Sequence, residues 1–380
     1  MNKIILGDNL YELSVEGISN IDPSSTKENL IIVPDRFSLL AELLLFNVKK
    51  ISCTFNTFVM PISKFCISQL SKITNLDVVD SQKQKFLIRR AVNLCKKKFK
   101  CFKNLSSSLI DEISKTISQL KSCRVKSGDF SFESSKTLEN KLYDLNLIFE
   151  KYEELLAGKL DNNEILNLFL SKIEQMNLEN FNFYFVGFDS FTTQICLIVK
   201  TLMKYGNVCV GIPFTKTKNR FFELEMYEMF KTEIECGDVN VEYAGNFLSK
   251  NQKDLLKSLT CKNEIVGSNY LSIFETESVK AEIDFVLMDI CDKVRHGYKF
   301  NDFAIACSSL EKYEPLIENR ICDFDINYYF DSSKSITKMP LHNFVLAFLN
   351  VFKNNFLKED IFDFIKNQFL DLNLTQKSQI

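Results

Sequence analysis

Residues 30–42 read Leu-Ile-Ile-Val-Pro-Asp-Arg-Phe-Ser-Leu-Leu-Ala-Glu, and two periodicities meet inside them. Leu30, Ile31, Ile32 and Val33 form a continuous apolar, mostly β-branched run, the pattern of a strand buried on both faces. Pro34 and Asp35 end it. From Ser38 onward, Leu39, Leu40, Leu43, Leu44 and Phe46 recur at helical spacing. Upstream, Lys3 to Leu6 is a short strand-like run; downstream, Ile51 to Val59 alternates as a strand. Strand, helix, strand in that order predicts a parallel sheet with right-handed crossovers, and so an α/β fold.

Further along, the texture changes. Lys85–Lys100, Leu109–Lys121, Thr137–Ala157 and Asn162–Met176 all carry apolar residues at i, i+3, i+4 spacing. Gly158 stops one helix, and Asp161 with Glu164 predicts a capping box for the next. Sheet signals return at Phe183–Val186, Val208–Ile212 and Tyr270–Phe274, with a helical pattern over Phe191–Tyr205 and a helix followed by a short strand within Phe221–Lys250. Ser278 then caps a helix that Gly297 closes. Strand-like Asp302–Cys307, helical Leu310–Asn319, strand-like Ile326–Phe330 and helical Leu341–Phe352 follow, with another helix at Glu359–Phe369. The expected organisation is a first α/β domain in two segments, 1–80 and 178–276, a helical insertion at 81–177, and a second α/β domain at 277–380. Leu370 to Ile380 is a polar trail with no closing strand, so the second domain is expected to be truncated and the chain to be part of a longer protein.

Composition narrows the functional classes. No run approaches the ~20 apolar residues of a membrane span, and Met1 to Asp8 is too short for a signal peptide, so a cytoplasmic location is expected. The formal net charge of −2 conceals a basic run at Lys96, Lys97, Lys98, Lys100 and Lys103; a local basic face suffices for nucleic acid whatever the global balance. The 12 cysteines are scattered singly without any CxxC, and the only histidines are His296 and His342. Zinc and iron–sulfur sites need clustered thiolates or imidazoles, so neither is expected in this chain.

Two α/β units, the first interrupted by helices, follow the plan of superfamily 1 helicase motors, with two RecA-like domains. Four stretches sharpen the likeness. LIIVPDRFSLLAE (residues 30–42), SCTFNTFV (52–59), YFVGFDSFTTQ (184–194) and the segment from Ala281 to Phe352 come in the order expected of the AddB family, and the chain resembles the N-terminal, helicase-like part of those proteins. It departs from an active motor in two places. The first strand runs into Gly7-Asp8-Asn9-Leu10 with no Gly-Lys-Ser/Thr to cradle phosphate and Mg²⁺, and Gly187-Phe188-Asp189 offers one carboxylate where a motor has Asp-Glu.

The resemblance implies a division of labour. An AddA-type helicase–nuclease subunit, the other half of a heterodimer, would supply the motor at single- or double-stranded DNA ends during double-strand break repair by recombination. The AddB part would guide one strand and, in members that respond to it, read a Chi sequence. An iron–sulfur cluster and the Mg²⁺ of a nuclease would lie beyond Ile380. By position, the family's DNA-contacting residues correspond to Arg36, Ser38, Phe55, Thr57, Met60 and the phenylalanines of Gly187–Gln194. Because ligands on open α/β sheets collect at the carboxyl ends of strands, the expected DNA site is one rim formed by Arg36 and Ser38, by Phe55, Asn56 and Thr57, and by Phe188, Phe191, Thr192 and Gln194. With 35 phenylalanines in the chain, a core role competes for the aromatic members. Two rival readings stand beside this one: an active helicase with an unrecognised nucleotide site, and a protein-interaction scaffold.

Overall fold

The computed structural model describes residues 2–7, 9–102, 106–129, 135–214, 221–237, 239–245, 271–331 and 336–370, in two compact units, Met1–Tyr270 and Leu271–Ile380. Asp8, Lys103, Tyr270, the end of the Phe221–Lys250 stretch and the tail after Leu370 lie outside the described residues.

The first unit is an α/β fold around a six-stranded, wholly parallel sheet. Its strands are β1 (Lys3–Gly7), β2 (Glu28–Val33), β3 (Thr57–Pro61), β4 (Phe181–Phe185), β5 (Asn207–Pro213) and β6 (Asn240–Tyr243), in the spatial order β3-β2-β4-β5-β1-β6. Side chains alternate between two apolar layers, because successive residues of a strand point to opposite faces. Ile5, Ile31, Val33, Tyr184 and Cys209 pack against α1 (Leu10–Ser19) and α2 (Ser38–Lys49). Ile4, Leu30, Ile32, Phe183, Phe185 and Val210 pack against α3 (Ile62–Leu70) and three later helices. Both faces are covered, which is why Leu30–Val33 reads as unbroken apolar sequence.

The helical block comprises α4 (Ser81–Cys95), α5 (Ser107–Ser122) and α6 (Lys136–Leu156) and has its own core, centred on Ile88, Val92, Ile113, Ile117, Phe149 and Tyr152. Its two connections to the sheet are tied together. Val78 and Leu160 form an isolated parallel bridge, with Val79 N donating to Leu160 O at 2.9 Å and Leu160 N to Asp77 O at 2.9 Å. Just beyond, the buried Lys121 ammonium lies 2.7 Å from Asp161 Oδ2 and 3.0 Å from Glu164 Oε1. The Tyr152 hydroxyl donates to the same Asp161 oxygen at 2.9 Å. Asp161 also caps α7 (Asn162–Lys172), its Oδ1 accepting from Glu164 N. The predicted capping box is therefore half-formed: the Glu164 carboxylate goes to Lys121 instead of returning to the cap. On the far side of the block, the fully buried Asp144 carboxylate accepts from the backbone N–H groups of Lys100, Cys101 and Phe102 at 2.7–3.1 Å.

The chain re-enters the sheet through β4, then α8 (Thr193–Tyr205), β5, α9 (Phe221–Glu235) and β6. At the sheet's amino end, asparagines from three strands join side by side. Asn207 Nδ2 donates to Asn182 Oδ1 at 3.1 Å and Asn182 Nδ2 to Asn29 Oδ1 at 3.0 Å, matching the registers Asn182↔Asn207 and Asn29↔Asn182.

In the second unit, α10 (Val279–Arg295), α11 (Leu310–Ile321), α12 (Pro340–Lys353) and α13 (Lys358–Ile365) form as the periodicity predicts. Ser278 Oγ accepts from Ala281 N as the cap of α10. The expected strands do not form: among the described residues, Leu271–Phe274, Phe303–Cys307 and Ile326–Phe330 belong to no ladder. The second α/β domain with a parallel sheet is therefore not present as expected in these residues. Part of the physical reason is visible around α10 and α11, where Phe303, Ile305, Ile326, Tyr328 and Phe330 line a cavity of about 600 Å³ with Leu287 and Ile321. Of these, Ile326 and Phe330 pack against Ile283, Leu287, Ile317 and Ile321 of the two helices, whereas Ile305 and Tyr328 are exposed.

Candidate functional site

In a doubly wound sheet, sites form where neighbouring strands send their connections in opposite directions. Here α1 and α2 lie on one face and α3, α8 and α9 on the other, so the crossovers leaving β1 and β5 part, as do those leaving β2 and β4. Each parting opens a crevice at the carboxyl end, and each crevice is filled by an apolar side chain.

Between β1 and β5 the plug is Leu13. β1 ends at Gly7 and α1 starts at Leu10, leaving a two-residue connection, whereas a phosphate loop needs a longer glycine-rich turn. A β-carbon on Gly7 would come 3.1 Å from Leu13 Cδ2 and 2.9 Å from Ala244 Cβ, and one on Gly211 would come 3.3 Å from Leu13 Cβ. Asn9 accepts from Tyr11 N at 2.8 Å, closing the first turn of α1 on itself.

Between β2 and β4 the plug is Phe37. Asp35–Phe37 form one 3-10 turn, and Val186 N extends the ladder by donating to Ile32 O at 3.0 Å. Gly187, at φ +79°, lies so close to the Phe37 ring that a β-carbon there would sit 2.6 Å from Phe37 Cδ1. Arg36 is exposed beside this contact and Ser38 half-buried.

The predicted rim assembles only in part. Arg36 and Ser38 do leave the carboxyl end of β2, and Phe188–Gln194 leaves that of β4. Phe188 and Phe191, however, are 8% and 6% exposed, with centroids 5.0 Å apart and 6.1 Å each from Phe185. Their faces belong to the core and are not open for base stacking. Gln194 is fully buried, its Nε2 donating to Asn163 O at 2.8 Å and Asn167 Oδ1 at 2.9 Å, so it stitches α8 to α7. Its Oε1 has no hydrogen-bond partner among the described residues. Thr192 caps α8, accepting from Ile195 N at 3.3 Å.

Phe55, Asn56 and Thr57 are misplaced by the sequence reading. The strand runs from Thr57 to Pro61 rather than from Ile51 to Val59, so these residues enter it at the opposite, amino rim. The register Asn29↔Thr57 and the bond from Asn29 N to Asn56 O at 2.7 Å fix that placement. Thr57 is buried, Asn56 donates to Ser25 O at 2.6 Å, and Phe55 is 91% exposed. Pro61 can end this strand because β3 lies at the sheet edge, where a missing donor is tolerated.

Among the described residues no three His, Cys, Asp or Glu side chains cluster to hold a metal ion. Burial pushes the Cys209 thiol up to about 12 and the Cys66 thiol higher still, the behaviour of inert core cysteines. No helix among the described residues is long and apolar enough to cross a membrane.

Sequence reasoning missed Leu13, Phe37 and the Lys121–Asp161 pair. Gly7, Gly187 and Gly211 were the available signal for the first two, since glycine in or after a strand marks a close approach of another group.

Comparison with known proteins gives the family. A family model described as "ADDB, N-terminal" matches residues 15–243. The chain is 27% identical over 375 residues to the B-type subunit of the ATP-dependent helicase/deoxyribonuclease of Listeria welshimeri, covering 91% of this chain and 32% of that protein. Proteins of the same name from Alkaliphilus metalliredigens and Bacillus subtilis are 22% and 21% identical, covering 92% and 90% of this chain and 33% of each relative. The chain thus spans about a third of the length of the curated relatives it matches. With more than half of its residues matched by that model, the chain belongs to the AddB family, through the family's N-terminal region.

Proposed function

We propose that this chain is the nucleotide-independent, DNA-guiding part of the AddB-type subunit of an ATP-dependent helicase–nuclease that processes double-strand breaks. The observation that carries the proposal is the β1–α1 connection. Two residues cannot wrap a phosphate, and Leu13 with Ala244 occupies the space next to Gly7. An active motor needs free backbone N–H groups and a lysine there. ATP hydrolysis would then fall to a partner of the AddA type, since the relatives are named as one subunit of an ATP-dependent enzyme. Nuclease chemistry, with its Mg²⁺ and an iron–sulfur cluster, is assigned to the part of those longer relatives that this chain does not span.

Under this reading the first unit is a RecA-like domain of superfamily 1 type, supported by its all-parallel order, and the second, alternating helices with extended segments, is its RecA-like counterpart. A single strand would pass the carboxyl rim at Arg36 and Ser38. Any reading of a Chi-like sequence would rest on these two residues, because the aromatic and amide groups of 188–194 are buried.

The test is a melting scan with Mg-ATP, alongside filter binding of a single-stranded oligonucleotide at low and high salt. A ligand at 100 times its dissociation constant stabilises by about 2.7 kcal/mol. No shift is expected with Mg-ATP, and salt-sensitive oligonucleotide binding is expected; a clear shift would restore the active-helicase reading, and absence of binding would favour the scaffold.

A further inference from the structure

The helical block of the first unit carries a strongly basic face. From Ser81 to Lys98, α4 and the 3-10 turn that continues it carry Lys83, Lys85, Arg89, Arg90, Lys96, Lys97 and Lys98 and no Asp or Glu, a local charge of +7 in a chain whose formal net charge is −2. Lys85 is paired with Asp111 at 2.9 Å. Among the described residues, Lys83, Arg89, Arg90, Lys96, Lys97 and Lys98 have no ion-pair partner.

The arrangement on the helix is directional. Ile88, Ala91, Val92 and Cys95 turn inward to the core of the block. The opposite face presents Lys83, Phe86, Arg90, Leu94 and Lys97, all exposed. Steps of three, four and seven residues keep such positions on one stripe. At 1.5 Å per residue, Lys83 to Lys97 spans about 21 Å, a length along which duplex DNA carries roughly 12 phosphates. Phe86, two-thirds exposed, stands between Lys83 and Arg90.

We infer that this face of α4 binds the phosphate backbone of duplex DNA, independently of sequence. Charge complementarity selects the partner. Unpaired cations at intervals along a rigid helix match a polyanion of regular charge spacing, and each phosphate neutralised releases condensed counterions. The neighbouring helices α5 and α6 carry both signs, with Asp111, Glu112 and Glu154 paired to Lys85, Lys115 and Lys151, whereas from Ser81 to Lys98 the charge is of one sign and attracts a polyanion. The inference rests on the reading that the chain handles DNA, and it assigns the double-stranded part of a DNA end to α4, leaving the single strand to the rim.

The experiment compares the full chain with its Lys83→Ala/Arg90→Ala/Lys97→Ala variant, using a blunt 30-base-pair duplex and a single strand of equal length over a salt series. All three side chains are solvent-exposed, so an unchanged melting curve is expected to show that the variant folds. The expected result is duplex affinity at least roughly tenfold weaker at ~0.1 M salt, a log–log salt slope shallower by about 2–3, and single-strand affinity within about twofold. Lys64→Ala/Lys72→Ala/Lys204→Ala, which removes three exposed cations outside the helical block, should leave the duplex slope unchanged. Equal duplex losses in the two triple variants, or none in the α4 variant, would overturn the inference, as would a chain that binds single strands but no duplex. A chain that binds neither form overturns the DNA-guiding reading along with it.

Discussion

The ring of Phe37 occupies the place a β-carbon of Gly187 would need, with Phe37 Cδ1 at 2.6 Å from that position. The contact closes the exits of β2 and β4 against each other, although the two residues are 150 positions apart in the chain. Gly187→Ala meets two penalties: φ +79° is unfavourable for any side chain, and the new methyl collides with an aromatic ring. A loss of about 2–4 kcal/mol in denaturant unfolding is expected. Phe37→Ala in the same chain should recover the collision part and leave the backbone part, a coupling that a double-mutant cycle measures.

Phe188 and Phe191 are core residues, so truncating them should damage folding before anything else. Phe188→Ala and Phe191→Ala are each expected to cost about 3–5 kcal/mol, and variants still folded should bind single-stranded DNA with unchanged affinity. Arg36→Ala should show the reverse: an unchanged melting temperature with weaker binding. Phenylalanine variants that bind poorly while melting normally would return these residues to the DNA interface.

The neck of the helical block depends on a buried ion pair. Lys121→Met leaves Asp161 with the Tyr152 hydroxyl and the α7 cap but no counter-ion. Removing one partner of a buried pair costs about 3–5 kcal/mol. Limited proteolysis should then cut at the connections around Val78 and Leu160 well before it cuts the sheet. Equal protection of wild type and variant would show that the Val78–Leu160 bridge holds the neck unaided.

Alkaline pH should unfold the first unit through buried thiols and phenols. Burial raises Cys209 and Tyr184 each to about 12, against roughly 8.5 and 10 in unfolded chains. The unfolded state releases these protons first, so stability is complete below about pH 8.5 and falls as pH rises toward 12. One such group contributes a slope of about 1.4 kcal/mol per pH unit inside its window. The melting temperature is expected to decline from about pH 8.5 upward, and Cys209→Ala should make the decline shallower between roughly pH 9 and 10. An identical slope in that variant would locate the sensitivity elsewhere.

The first unit was legible in sequence wherever burial on both faces wrote an unbroken apolar run, as in Leu30–Val33 and Phe183–Val186, and wherever helices kept a single apolar stripe. The edge strand β3 was not. Its lead-in alternates as convincingly as the strand itself, and only pairing with Asn29 decides the register. That slip moved Phe55–Thr57 from one rim to the other. The strand-like runs of the second unit failed differently: Ile326 and Phe330 pack against helices, a demand met without a ladder. That no Gly-Lys-Ser/Thr follows Gly7 could be read from local sequence, because a phosphate loop is contiguous. The plugs Leu13 and Phe37 could not, because each meets a partner far away in the chain, Gly211 for Leu13 and Gly187 for Phe37.

The position of β1 in the sheet has a consequence for synthesis. Lys3 pairs with Cys209 on one side and Asn240 on the other, so β1, once made, meets its first neighbour only after some 200 more residues. At ~5–20 residues per second that wait is roughly 10–40 s, during which Ile4, Ile5 and Leu6 have no ladder to join. Once made, the helical block can collapse on its own core in that interval. The nascent chain can therefore complete the helical block before β1 is held in the sheet.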